Sequence, residues 1–337
     1  MGSITSLCQL GYENDTWTLR LGPQKTRLSQ FGFIQVRGED ASLFLQSLLT
    51  SDVRQINSER GQFSSWCDGK GRIQAAFWLL PFKDAIYLIV PLAMVAGLIA
   101  RLRMFVLRAK VTLRDATEDM ALIGLVGPLP DESSIDSQTI LHTPGAVTQI
   151  SDCAVMSIHG TGVIRYLALG SQLQIQQLSQ HVFKDLPEVS ESLWPLLDIF
   201  TGIPHIEEAT TGEFIPQMLS LEALGALSFN KGCYPGQEVV ARLQYRGQLK
   251  RKMYRAIVVT NEVPPPGTRL AGPDTQESIG QVLAAERLDS ETVLVQVVVV
   301  IERKESNAVH LAALKGPRLC FEPDEGVPQS GETLNVQ

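Results

Sequence analysis

The chain has 337 residues, 44% hydrophobic and 19% charged, with a net charge of −7. A chain of this length buries roughly three quarters of its unfolded surface and needs no covalent staples. Its acidity argues against global attraction to nucleic acid or anionic lipid and leaves only local basic patches.

The five cysteines, Cys8, Cys67, Cys153, Cys233 and Cys320, are far apart and form no CxxC pair. That pattern fits reduced thiols in the cytoplasm and excludes a disulfide framework or a single-segment zinc or iron–sulfur cradle. The start, MGSITSLCQLGYENDTW, lacks the basic and apolar regions of an export signal, so a cytoplasmic protein is expected.

After a polar N-terminal arm, Phe31 to Val36 reads as a strand, Gly38 breaks it, and Leu43, Phe44, Leu48 and Leu49 recur at helical spacing. GQFSSWCDGKGRIQAAFWLL reads as two strands joined by an Asp68-Gly69-Lys70-Gly71 turn. The uncharged run Ala85–Ala100 is too short to span a bilayer. Pro91 divides it into a strand, AIYLIV, and a helix, PLAMVAGLIARLRMFVLR. KVTLRDAT and ALIGLVGP read as strands and PDESSIDSQTI as a polar loop. CAVMSIHGTGVIRYLALG reads as two strands around Gly160-Thr161-Gly162, with no following helix to cradle a dinucleotide. LWPLLDIFTG reads as a short helix ending at Gly202. From about residue 248 the pattern is strand-like with turn-rich breaks such as Val263–Gly267, predicting a small β-barrel followed by a disordered tail. The class predicted is α+β.

No HExxH pattern, GxSxG elbow or Walker A loop occurs. What remains is FNKGCYPGQE, residues 229–238. Pro235 and Gly236 initiate a helix, EVVARLQYR, so Cys233 lies just before a helix N-terminus that favours a thiolate, and Lys231 adds positive charge. The other reading is a small apolar side chain filling a gap beside a turn. The residues alone leave both open. Arg242, Arg246, Lys250, Arg251, Lys252 and Arg255 form the densest basic run, suited to phosphate oxygens or an anionic ligand tail, or simply to a solvated edge.

Lys231-Gly232-Cys233-Tyr234-Pro235-Gly236-Gln237-Glu238 resembles the K-G-C-[FY]-x-G-Q-E signature of the YgfZ family of folate-binding proteins, linked to iron–sulfur enzyme maintenance and tRNA modification. The likeness extends through GIPHIEEATTGEFIPQMLSLEALGALSFN and VVARLQYRGQLKR, and more weakly over WCDGKGRI and the region of Phe31. It implies kinship with the glycine-cleavage T-protein: two intertwined ferredoxin-like α+β subdomains around a central channel in residues 1–247, a β-barrel in 248–323 and a tail in 324–337.

It also implies tetrahydrofolate or a derivative as ligand, with Phe31 and Trp194 as aromatic contacts, the first replacing a tryptophan. Arg242 and Arg246 are assigned to the glutamyl tail from charge sign alone. Phe200-Thr201-Gly202 stands where relatives have Glu-Ala-Gly, and the T-protein's Asp-Asp pair falls on Ala75 and Ala76, which carry no proton.

The resemblance thus points to an accessory protein rather than an enzyme. Cys233 is its reactive thiol or a transient cluster ligand, no metal is tightly bound, no membrane is involved, and the partners are iron–sulfur assembly proteins or client enzymes. The alternatives are a folate-dependent one-carbon transferase and a tRNA-binding module.

Overall fold

The computed structural model describes residues 8–13, 16–128, 143–160, 163–273, 275, 277–305 and 308–322. The sequence-predicted polar loop at 130–140, most of the Gly160–Gly162 turn and the tail from 324 lie outside the described residues.

The N-terminal arm, read only as polar, contains three strands: β1 (Cys8–Glu13) and β2 (Thr16–Leu21) form an antiparallel hairpin, and β3 (Gln24–Arg27) follows. β4 (Phe31–Arg37), α1 (Ala41–Leu48), β5 (Gln62–Cys67) and β6 (Ile73–Phe82) match the expected strand, helix and hairpin.

β7 (Ala85–Pro91) runs one residue further than predicted, because Pro91 still pairs with Phe31. The helix opens through a 3₁₀ turn, Leu92–Met94, and α2 spans only Val95–Arg103. It stops short of the predicted end because the chain turns at Met104–Val106, placing the Phe105 ring edge-on to Trp66 at 5.9 Å. β8 (Thr112–Asp115) completes a sheet of order β5-β6-β7-β4-β8.

A second sheet interleaves with the first along the chain. It is built from β9 (Met120–Val126), β10 (Val147–Ile150), β11 (Cys153–Gly160) and β12 (Val163–Ser171), in the order β10-β11-β12-β9-β3. Consecutive strands β3 and β4 therefore belong to different sheets, which is the intertwining the resemblance implies. α3 (Gln172–Gln177) opens on a Ser171–Gln174 capping box and packs on β12 and β9.

β9 divides two cores by alternation. Leu122 and Val126 join the large core between the sheets, whereas Ala121, Ile123 and Leu125 face a smaller one with Ile175, Leu178 and Phe183. α4 (Leu193–Thr201) ends at Gly202 as predicted, with Gly202 at φ 77°.

α5 (Gln237–Arg246) precedes the C-terminal strands β13 (Arg251–Val259), β14 (Arg269–Ala271), β15 (Gly280–Arg287) and β16 (Thr292–Val300). A five-residue helix, α6 (Ile301–Glu305), interrupts the stretch expected to be continuous strand, then β17 (His310–Leu311) and β18 (Leu319–Phe321) follow. The sheet order β17-β14-β15-β16-β13-β18 nearly closes into a barrel, since the His310–Arg318 bridge and a 2.9 Å bond from Leu319 N–H to the Val309 carbonyl join its two edges.

The barrel meets the body at α4. Arg255 of β13 donates to the Phe200 carbonyl, lies over the Phe200 ring and pairs with Glu322. Nearby on β15, burial pushes the Glu286 carboxyl up to about 7 from 4.5, and the negative charge of Glu207 adds to the shift. A raised carboxyl pKa means the folded chain holds a proton that the unfolded chain releases between about pH 4.5 and 7. The buried charge therefore costs stability as pH rises through that window. Glu286→Gln should match the parent's urea midpoint near pH 5 and exceed it near pH 7.5; an equal difference at both pH values would remove Glu286 as the titrating group.

Candidate functional site

The two segments that carried the family likeness, residues 66–73 and 231–238, meet in space. In the turn after β5, the Asp68 carboxylate accepts backbone N–H bonds from Lys70 and Arg72, both at 2.9 Å. Gly71 takes φ 73° to close the turn. Gly236, at the N-cap of α5 with φ 80°, lies directly against it: a Cβ there would stand 2.4 Å from Gly71 N and 2.5 Å from the Asp68 carbonyl. Gly236 is thus required twice, by conformation and by backbone approach, whereas Gly71 is required by its conformation.

The chain entering this contact is stitched to the loop after α1. Ser228 N–H donates to the Thr50 carbonyl at 2.9 Å, and Thr50 Oγ1 donates to the Ala226 carbonyl at 2.7 Å. Lys231 turns inward: its Nζ donates to the carbonyls of Leu49 at 2.5 Å and Ser51 at 2.7 Å, and lies 5.3 Å from the Tyr234 ring centroid. Burial lowers the Lys231 pKa to about 8. Its ammonium is therefore spent on backbone carbonyls, an anchoring role that sequence reasoning missed. Tyr234 is also buried, whereas Gly232 and Cys233 are exposed.

The outcome is a loop whose flanks point in and whose thiol points out. Burial instead pushes the Cys67 thiol, at the end of β5, up to about 12. Gln237 N–H closes the motif by donating to the Tyr234 carbonyl, and Glu238 pairs with Arg242 at 3.3 Å, fully on the surface. Arg246 is exposed at the end of α5. The basic run is split: Arg251, Lys252 and Arg255 lie on β13, and Arg255 is committed to Glu322.

The aromatic candidates occupy a second locus. Phe31 is 7% exposed and its ring lies 5.5 Å from His205. Trp194 is 1% exposed, with the Arg165 guanidinium over its ring at 4.8 Å and its six-membered edge filling the space left by Gly124. Arg165, fully buried, donates to Asp198 and Thr201, both at 2.7 Å, and His205 Nε2 meets the other Asp198 oxygen at 2.7 Å. Against the opposing effect of burial, Arg165 and His205 hold the Asp198 carboxyl below its ordinary value.

Trp194, Arg165, Asp198, His205 and Phe31 thus form one continuous train, in which Trp194 supports the others and presents no ring face to solvent. Both amide atoms of Gln30, beside Phe31, are buried without a partner among the described residues, as is Arg165 Nε. Ala75 and Ala76 lie on β6, each 1% exposed. Sequence reasoning passed over Gln30, Arg165 and His205, because nothing in their spacing distinguishes them from ordinary polar residues.

Two interleaved antiparallel sheets with flanking helices, followed by a nearly closed barrel, define a protein with the aminomethyltransferase fold. The solved structure of glycine cleavage system aminomethyltransferase T from Bartonella henselae superposes with a TM-score of 0.64 at 14% identity, covering 90% of this chain and 85% of that one. Residues 9–134 match the family model of the GCVT N-terminal domain.

Within that class the chain belongs to the YgfZ family. It is similar to the tRNA-modifying protein YgfZ of Colwellia psychrerythraea (strain 34H / ATCC BAA-681), at 36% identity over 230 residues, 67% of this chain and 69% of the relative. It is also similar to the tRNA-modifying protein YgfZ of Sodalis glossinidius (strain morsitans), at 28% over 307 residues, 88% and 90% of the two chains.

Gly236→Ala should lower stability by about 3 kcal/mol, since it combines a left-handed backbone with a clash against backbone that cannot move aside. A chemical-denaturation midpoint within error of the parent would show that the two turns do not touch.

Proposed function

We propose that the chain is a folate-binding accessory protein that supports iron–sulfur enzymes, among them enzymes that modify tRNA, and that Cys233 is its working thiol. The observation that carries this reading is the contrast inside one motif: Lys231 and Tyr234 are buried as anchors while Cys233, held between them, is exposed. A cysteine conserving packing volume would face the other way. The relatives' name, tRNA-modifying protein, supports the same reading.

Among the described residues no cluster of metal-binding side chains occurs. A lone thiol does not hold an iron–sulfur cluster by itself. Cys233 would therefore act jointly with ligands from an assembly protein or client enzyme.

The folate reading rests on the locus around Phe31. The Phe31 ring beside His205 suits a flat ligand, and Gln30, the residue before Phe31, carries a buried amide donor and acceptor without a partner among the described residues. Phe31, Gln30 and His205 would hold the ring system, and Trp194 would keep Arg165 and Asp198 in place behind them. When bound, a reduced folate supplies a carrier for one-carbon units. The apolar pair Ala75 and Ala76, standing where the T-protein has its acidic pair, disfavours aminomethyl transfer as the activity.

Cys233→Ser should fold with unchanged thermal stability and fail to restore modified tRNA nucleosides in a strain lacking the protein. Full restoration would end the thiol reading. Separately, Phe31→Ala should weaken tetrahydrofolate binding about tenfold, or roughly 1.4 kcal/mol, in a direct titration. Unchanged affinity would take Phe31 out of the site without touching the role of Cys233.

A further inference from the structure

A cleft of about 680 Å³ lies on the outer face of the second sheet, between the β3 edge and the helical segment that begins with α3. Its floor is apolar, formed by Ala121 and Ile123 of β9 and Ile175 of α3. The alternation of β9 puts these side chains opposite Gly124, the residue that makes room for Trp194. The cleft is therefore separated from the Phe31–Trp194 locus by the thickness of a sheet.

Three cations line it: Lys25, Arg27 and Lys184. Lys25 is only 8% exposed, and its Nζ donates to the carbonyls of Ser179 at 2.9 Å and Phe183 at 2.7 Å, which close the end of the helical segment. An ammonium carries three donors, so one proton remains unspent at the cleft wall. No carboxylate forms an ion pair with Lys25, Arg27 or Lys184 among the described residues. Glu188 is the one acidic side chain in the lining, so two positive charges are uncompensated. A buried ammonium without a counter-charge is costly.

The missing partner has a definite chemistry. Two positive charges match a phosphate monoester, which carries about −1.5 to −2 at neutral pH. Gln176 and Gln180 on the wall offer amide donors to its oxygens. The volume far exceeds that of a free phosphate ion, and the apolar floor suits a flat organic body attached to it. We propose that this cleft binds a small organic phosphate, with Lys25, Arg27 and Lys184 facing the phosphate and the Ile123–Ile175 floor facing the organic part. The inference is independent of the folate reading and of Cys233.

The test is calorimetric titration of the full-length chain at low salt with adenosine monophosphate, inorganic phosphate and succinate. Adenosine monophosphate should bind at least tenfold more tightly than inorganic phosphate, because only it uses the floor, and more tightly than succinate. Arg27→Glu combined with Lys184→Glu should weaken it at least tenfold, while Lys315→Glu on the distant barrel leaves it unchanged.

Arg27 and Lys184 are both exposed, so the double variant should keep the parent's melting temperature. If it does not, Arg27→Ala and Lys184→Ala are measured singly, each expected to weaken binding severalfold. Absence of binding at millimolar nucleotide, succinate binding more tightly than the nucleotide, or full affinity in the charge variants would each overturn the proposal. So would transfer RNA that binds through these three cations while the mononucleotide does not.

Discussion

The close approach of two backbone turns, Asp68–Gly71 and the Pro235–Gly236 corner, constrains the rest of the site. No side chain lies between them, because neither Gly71 nor Gly236 has one. The first turn closes a hairpin of the first sheet, and the second begins α5 far along the chain. Their contact makes the position of α5 a property of the sheet itself. It leaves residues 231–234 a short path between two fixed points, the loop after α1 and the N-cap of α5. On that path not every residue can face the body: Lys231 and Tyr234 take the inward positions and Gly232 and Cys233 face out.

Among the described residues buried charge appears at three places, and in each the compensation differs. Lys231 is hydrogen-bonded by two backbone carbonyls and lies over the Tyr234 ring, and burial outweighs the attraction of Asp52, so its pKa is low. Arg165 and Asp198 compensate one another directly, with Thr201 and His205 completing the shell, so the carboxylate keeps its charge despite full burial. Breaking such a pair from one side costs about 3–5 kcal/mol, which makes Trp194 and its neighbours a rigid support. Lys25 is the third case: carbonyls take two of its three donors and no carboxylate pairs with its charge among the described residues.

Elements whose limits are set by local chemistry were legible in the sequence. The turn at Asp68–Gly71, the stop of α4 at Gly202 and the start of α5 after Pro235 all follow from single residues whose conformations are restricted. Limits set by tertiary pairing were not. Pro91 remains in a strand because Phe31 is its partner, and α2 ends early because Phe105 has Trp66 to pack against. The N-terminal hairpin was missed although Leu19 and Leu21 alternate toward the core; polar residues around them hid the period of two.

At the site, the motif itself and the position of Cys233 could be read, but the direction of each side chain could not. Lys231 looked like a neighbour that would acidify the thiol, and only the fold shows it buried under the loop. His205 reaches Phe31 through the assembly of distant segments, so spacing along the chain carried no trace of it, and the burial of the Gln30 amide is likewise a product of the fold.

The central claim is that the turn-on-turn contact holds the Cys233 thiol outward while the rest of the motif is anchored inward. Alkylation of the native protein followed by peptide mass spectrometry measures this directly. The account predicts rapid modification of Cys233, with Cys67 and Cys153 protected until denaturant is added. Protection of Cys233 alongside that buried pair, or equal rates at Cys67 and Cys233, would contradict it.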